Sequence, residues 1–84
     1  MASRRNWETR RQDLRVLLKS VRLETGLTQM EMAARLRSRP QSYVSKSESG
    51  ERKIDLVELE EICEAIGVDL LDFVRRYQAS RAPD

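Results

Sequence analysis

Leu27-Thr28-Gln29-Met30-Glu31-Met32-Ala33-Ala34-Arg35-Leu36, a break at Arg37-Ser38-Arg39, then Pro40-Gln41-Ser42-Tyr43-Val44-Ser45-Lys46-Ser47-Glu48-Ser49-Gly50: residues 27–50 decide the fold. Thr28 is placed to cap a helix, and Glu31 three residues later completes a reciprocal capping box. Met32, Ala33 and Leu36 share the inner face of that helix. Pro40 suits the first position of the next helix, where a missing N–H has no partner to lose, and Gly50 closes it. Two short helices joined by a tight turn can cross steeply where a small residue lets them approach. Ala33 is that residue, and Val44 is the apolar side chain inserted against it. The opening turn of the second helix then projects outward with Gln41, Ser42, Ser45 and Lys46. Short hydroxyls and an amide suit the edges of bases in a duplex groove, with one cation beside them. A helix serving only as surface more often carries Glu/Lys pairs at i, i+4.

Outward from this pair the pattern stays helical. Leu14, Leu17, Leu18 and Val21 recur at i, i+3, i+4, i+7, predicting a first helix from about Trp7 to Thr25, capped at Asn6 and stopped at Gly26. Trp7 falls on the same face and is expected in the core or on a dimer face. The arginines on the polar face of this helix fit either solvent or a polyanion. Arg4 and Arg5, in an arm over residues 1–6, are equally open. Asp55 caps a fourth helix with Leu56, Leu59, Ile62, Cys63 and Ile66 in one stripe, and Gly67 ends it. Asp69 caps a fifth with Leu70, Leu71, Phe73, Val74 and Tyr77. The tail from Gln78 reads as frayed. No segment alternates like a strand, so the expected fold class is all-α, a compact bundle of about five helices in one domain.

The net charge of the 84-residue chain is only +2, with 36% of residues charged. Split at Ile54, the front carries a net +7 and the rear a net −5. The basic front suggests a polyanionic partner. The chain has no His, a single Cys and only three Gly. Disulfides, Cys/His zinc sites and Gly-rich phosphate loops are therefore excluded, and no metal or other cofactor is expected. Cys63 lies in an apolar stripe with no histidine to activate it, so a buried small hydrophobe is expected there rather than a redox switch. No enzyme is read in this sequence. The absence of a long apolar segment or signal-peptide core points to a cytoplasmic protein with no membrane partner.

The run Gly26-Leu27-Thr28-Gln29, then Ala33, then Pro40-Gln41-Ser42-Tyr43-Val44-Ser45-Lys46, then Glu48-Ser49-Gly50-Glu51-Arg52, resembles the phage-repressor and Cro-like helix-turn-helix family, the XRE-type regulators. The resemblance covers about residues 14–74. It implies a lambda-repressor-like bundle that binds operator DNA, usually as a dimer. By position it implies that Gln29 contacts phosphate and braces Gln41, and that Gln41, Ser42 and Lys46 read bases. Tyr43, Ser45, Ser49 and Arg52 fall where backbone contacts are common, and Arg22 and Glu48 match a structural pair. The family usually has Gly where this chain has Arg37, and Val44 comes one residue later than usual. The turn over residues 37–40 should therefore differ, with Arg37 and Arg39 adding phosphate contacts. Ser47 stands where the family is usually apolar.

Arg52 and Lys53, in the charged connector, are expected at phosphates. The fifth helix offers more apolar side chains than one face needs, so Leu70, Phe73, Val74 and Tyr77 are assigned to a homodimer contact over residues 68–78. The expected function is a homodimeric, sequence-specific regulator of transcription on double-stranded DNA, in size like restriction-modification controllers, small phage repressors or antitoxins. No effector domain and no small-molecule ligand are expected. The competing reading is a protein-interaction module on the same scaffold.

Overall fold

The structure, a computed structural model, describes residues 3–37 and 39–80, with side chains from Trp7 onward. Five helices follow one another: α1 (Ser3–Glu24), α2 (Gln29–Arg35), α3 (Gln41–Ser49), α4 (Leu56–Ile66) and α5 (Leu70–Ser80). No strand occurs among the described residues.

Four of the five starts have a local cause. At α2 the Thr28 hydroxyl accepts from the Glu31 N–H at 3.1 Å, and the Thr28 N–H donates to Glu31 Oε1 at 2.8 Å. The same reciprocal box opens α4, where Asp55 accepts from the Glu58 N–H at 2.8 Å and Glu58 reaches back at 3.1 Å. Asp69 accepts from the backbone of Leu71 and Asp72 at the head of α5. Pro40 is the residue before α3, in an extended conformation, rather than its first helical residue. Its carbonyl accepts from the Tyr43 N–H at 2.9 Å, so it caps with its backbone alone.

The core takes one stripe from every helix: Leu17, Leu18 and Val21; Met32, Ala33 and Leu36; Val44; Leu59, Ile62, Cys63 and Ile66; and Phe73. Cys63 is a free, buried thiol, pushed up to about 11 mainly by desolvation and also by the Asp69 charge, as a small hydrophobe in this place should be. At the N-terminus one expectation is corrected and one is narrowed. Asn6 lies inside α1, which begins at Ser3, so it caps nothing and residues 3–6 continue the helix. Trp7 is 62% exposed, not core. Twenty-two residues make α1 about 33 Å long. The other helices have 7 to 11 residues, and the buried part of α1 begins only at Leu17. Trp7 lies ahead of that part, beside Arg10, whose guanidinium is 5.8 Å from both the Trp7 and the Tyr77 rings. At the other end, helix α5 carries the chain regularly to Ser80, past the expected fraying at Gln78.

The fifth helix also redistributes the side chains assigned to a dimer. Phe73 is fully buried in its own protomer and cannot meet a second copy. Leu70, Val74 and Tyr77 are half-buried, and Leu71 is the exposed apolar residue of this helix. Helical spacing defines a stripe, but which residue of the stripe faces α1 and α4 depends on how α5 is rotated about its axis.

Candidate nucleic-acid interface

Ala33 of α2 and Val44 of α3 are both buried in the shared core, as the close pairing of these helices requires. Between them the chain turns through Arg37, whose φ of +61° is left-handed. A side chain is disfavoured in that conformation by ~1–2 kcal/mol, which is why glycine is usual there. Leu36 and Arg39 both donate their N–H to the Ala33 carbonyl, at 3.0 and 3.1 Å, and this shared acceptor holds the lengthened turn. Ser38 lies outside the described residues.

A continuous polar chain runs from the core to the outer face of α3. Arg22, only 5% exposed, donates to both oxygens of Glu48 at 2.6 and 3.1 Å and to the Leu27 carbonyl at 2.7 Å. Gln29 donates to Glu48 Oε1 at 3.1 Å, and Gln41 donates to Gln29 Oε1 at 3.1 Å. Gln41 therefore leaves the start of α3 with its amide braced, through Gln29, by a buried ion pair. Ser42 and Lys46 are exposed beside it, and Ser45 is half-exposed. A pre-set amide loses less rotamer freedom on binding than a free one.

Other expected contacts sit differently. The Ser49 hydroxyl donates to the Lys46 carbonyl at 3.2 Å and accepts from the Glu51 N–H, so it helps to close α3. The Tyr43 hydroxyl is buried, which removes it from a phosphate's reach. Arg39 pairs with Glu61 at 3.1 Å, and Arg52 pairs with Glu58 through both terminal nitrogens. The Arg52 guanidinium holds the Glu58 carboxyl below the usual carboxylate range. Carboxylates of the acidic rear thus tie down arginines of the basic front. Lys46 and Lys53 remain exposed and outside any ion pair among the described residues.

Glu58 and Glu61 carried no signal as site residues in the charge pattern. The spacing Asp55-x-x-Glu58 could have marked Glu58 as the far half of a capping box, but nothing local foretells its arginine partner. Ser47 is buried, and its hydroxyl donates to the Tyr43 carbonyl at 2.8 Å. That bond answers the polar group placed where an apolar one is usual. Among the described residues no group of His, Cys, Asp or Glu is placed to hold a metal ion, and no helix is long and apolar enough to cross a membrane.

Comparison with known proteins agrees with this geometry. The sequence matches the helix-turn-helix domain family over residues 13–76. The fold is similar to an XRE-family like protein from Pseudomonas syringae pv. tomato, with 40% identity, a TM-score of 0.86, and coverage of 96% of this chain and 98% of that one. It is similar to the clp gene regulator ClgR from C. glutamicum, with 28% identity, a TM-score of 0.78, and coverage of 89% and 96%. The restriction-modification controller protein C.Esp1396I shares the fold at 24% identity, with a TM-score of 0.76 and coverage of 83% and 90%. No curated protein matches the sequence. With residues 13–76 matched to one family and nearly the whole chain superposing on an XRE-family like protein, the chain belongs to the XRE-type helix-turn-helix family.

Proposed function

We propose that this protein is a DNA-binding regulator of transcription that places α3 in the major groove and reads sequence through Gln41, Ser42 and Lys46. The observation that carries the reading is the braced Gln41 amide at the head of α3, tied through Gln29 to the buried Arg22–Glu48 pair. A side-chain amide can bond an adenine edge at two points, and each such contact is worth ~1–3 kcal/mol of discrimination. The protein acts by binding, with no reaction and no small-molecule ligand assigned to it. Its similarity to a clp gene regulator and to a restriction-modification controller supports a regulatory role.

A single helix in one groove reads few bases, so two copies reading two half-sites gain both affinity and specificity. The homodimer is proposed through α5, with Leu71 joining Leu70, Val74 and Tyr77 as the partner-facing set in place of Phe73. One exposed leucine bordered by half-buried apolar side chains can supply an isologous contact.

The test uses duplexes enriched from a randomised library by the protein itself, with binding measured at two salt concentrations. Steep loss of affinity with salt is expected, since each neutralised phosphate contributes about −0.9 to the slope of log Kobs against log salt. Gln41→Ala should lose ~1–3 kcal/mol and relax base preference. No enrichment, or binding indifferent to salt, would leave the protein-interaction module as the better reading.

A further inference from the structure

Two arginines flank the recognition helix in sequence, Arg39 before it and Arg52 after it, and both lie over the ring of one tyrosine in its first turn. Their guanidinium carbons stand 4.4 and 4.2 Å from the centre of the Tyr43 ring. Each is also fastened to a different carboxylate of α4. Arg39 reaches Glu61 at 3.1 Å, and Arg52 grips Glu58, which is itself fixed by the Asp55 N–H. The backbone is held as well: the Arg39 N–H donates to Ala33 at the end of α2, and the Arg52 N–H to Lys46 in α3. The segments on either side of α3 thus close on one ring of α3 itself, and α4 holds both ends.

This arrangement bears on DNA binding in a definite way. A cation releases counterions from DNA when its charge is free to meet a phosphate. Arg39 and Arg52 already have carboxylate partners and a shared aromatic face, with side chains about one-third exposed, so leaving that site would cost both. Lys53, the next residue along the connector, is exposed and unpaired among the described residues. We infer that Arg39, Tyr43 and Arg52, held by Glu61 and Glu58, form a clasp that fixes the angle of α3 in the groove, and act as positioning residues rather than phosphate contacts. The inference rests on the DNA-binding reading above and departs from the roles that the sequence suggested for these three residues.

The two roles separate experimentally. The whole chain is tested against the duplex it enriches from a randomised library and a shuffled duplex of the same length, over a series of salt concentrations. Arg52→Gln and Tyr43→Leu should each lower the ratio of preferred to shuffled affinity about tenfold or more, because a rotated helix misaims its base contacts. They should leave the salt slope unchanged. Tyr43→Phe keeps the ring and should keep the ratio. Lys53→Gln is the opposite case, weakening both duplexes alike and flattening the slope by about 0.9. If Arg52→Gln behaves like Lys53→Gln, the clasp is refuted and Arg52 is a phosphate contact. Should Arg52→Gln fail to fold, as judged by circular dichroism, Arg52→Lys retains the charge but not the planar stack. It should lose the ratio, and a wild-type ratio would overturn the inference. Failure of the DNA-binding reading itself looks different, since the unsubstituted protein would then enrich no duplex.

Discussion

Removing the Glu48 carboxylate is the most direct challenge to the account of how the recognition helix is held. Arg22 is 5% exposed, and the Glu48 side chain 4%. In Glu48→Ala the guanidinium keeps its bond to the Leu27 carbonyl but loses its counter-charge in a place water cannot reach. Breaking a buried pair from one side destabilises by ~3–5 kcal/mol. A domain of this size is stable by about 4–13 kcal/mol, taking 0.05–0.15 kcal/mol per residue, so the loss is a large share of the total. Urea unfolding followed by circular dichroism reads it directly. With a slope near ~1 kcal/mol per molar, the midpoint should fall by about 3–5 M, or the variant should be unfolded without denaturant. The double substitution Arg22→Met with Glu48→Leu removes both charges and should recover most of the stability. It should not recover sequence preference, because Gln29 then lacks the acceptor that fixes it beneath Gln41. A cost under ~1 kcal/mol for Glu48→Ala, the level of an exposed pair, would refute the reasoning. So would a double variant as unstable as the summed singles.

Three further outcomes are expected. Arg37→Gly should raise stability by ~0.5–1 kcal/mol in the same unfolding assay, since it relieves a left-handed side chain and gives up only an exposed ion pair with Glu61. Gly50→Ala should destabilise by about 1 kcal/mol, because φ is +92° there and a side chain adopts that conformation only with strain; the Arg15 guanidinium, 2.8 Å from an added Cβ, can swing aside. The Glu58 carboxyl is depressed in the folded state by Arg52, so its contribution is present above the usual value of 4.5 and is lost as pH falls through the lower folded value. The stability advantage of the unsubstituted protein over Glu58→Gln should therefore shrink in acid. An advantage that stays constant down to about pH 2 would show that the carboxylate's charge is not what Arg52 uses.

Much of the fold was legible because its signals are local. Thr28 with Glu31 and Asp55 with Glu58 act within one helical turn, and the i, i+3, i+4 stripes name the buried face without reference to any neighbour. Of the two places open to Trp7, the core is excluded for the complementary reason, and a dimer face is not. Trp7 continues the α1 stripe, but a stripe names a face and not a partner, and within this chain the Trp7 ring stays 62% exposed. Phe73 goes to the core and Leu71 to solvent because they lie on opposite faces of α5, and only the rotation of that helix against the core decides which face is buried.

The sequence by itself determined the helices, the crossing of α2 and α3 at Ala33 and Val44, and the polar character of the face that α3 turns outward. These follow from residue type and spacing over a few turns. Only the tertiary structure decided which charges remain free. By composition the front is a +7 surface and the rear a −5 body. In the folded protein Glu58 and Glu61 cross that boundary to hold Arg52 and Arg39, while Lys46 and Lys53 stay open to solvent. Charge is a property of residues, but its availability depends on distances between segments far apart in the chain, and packing sets those distances.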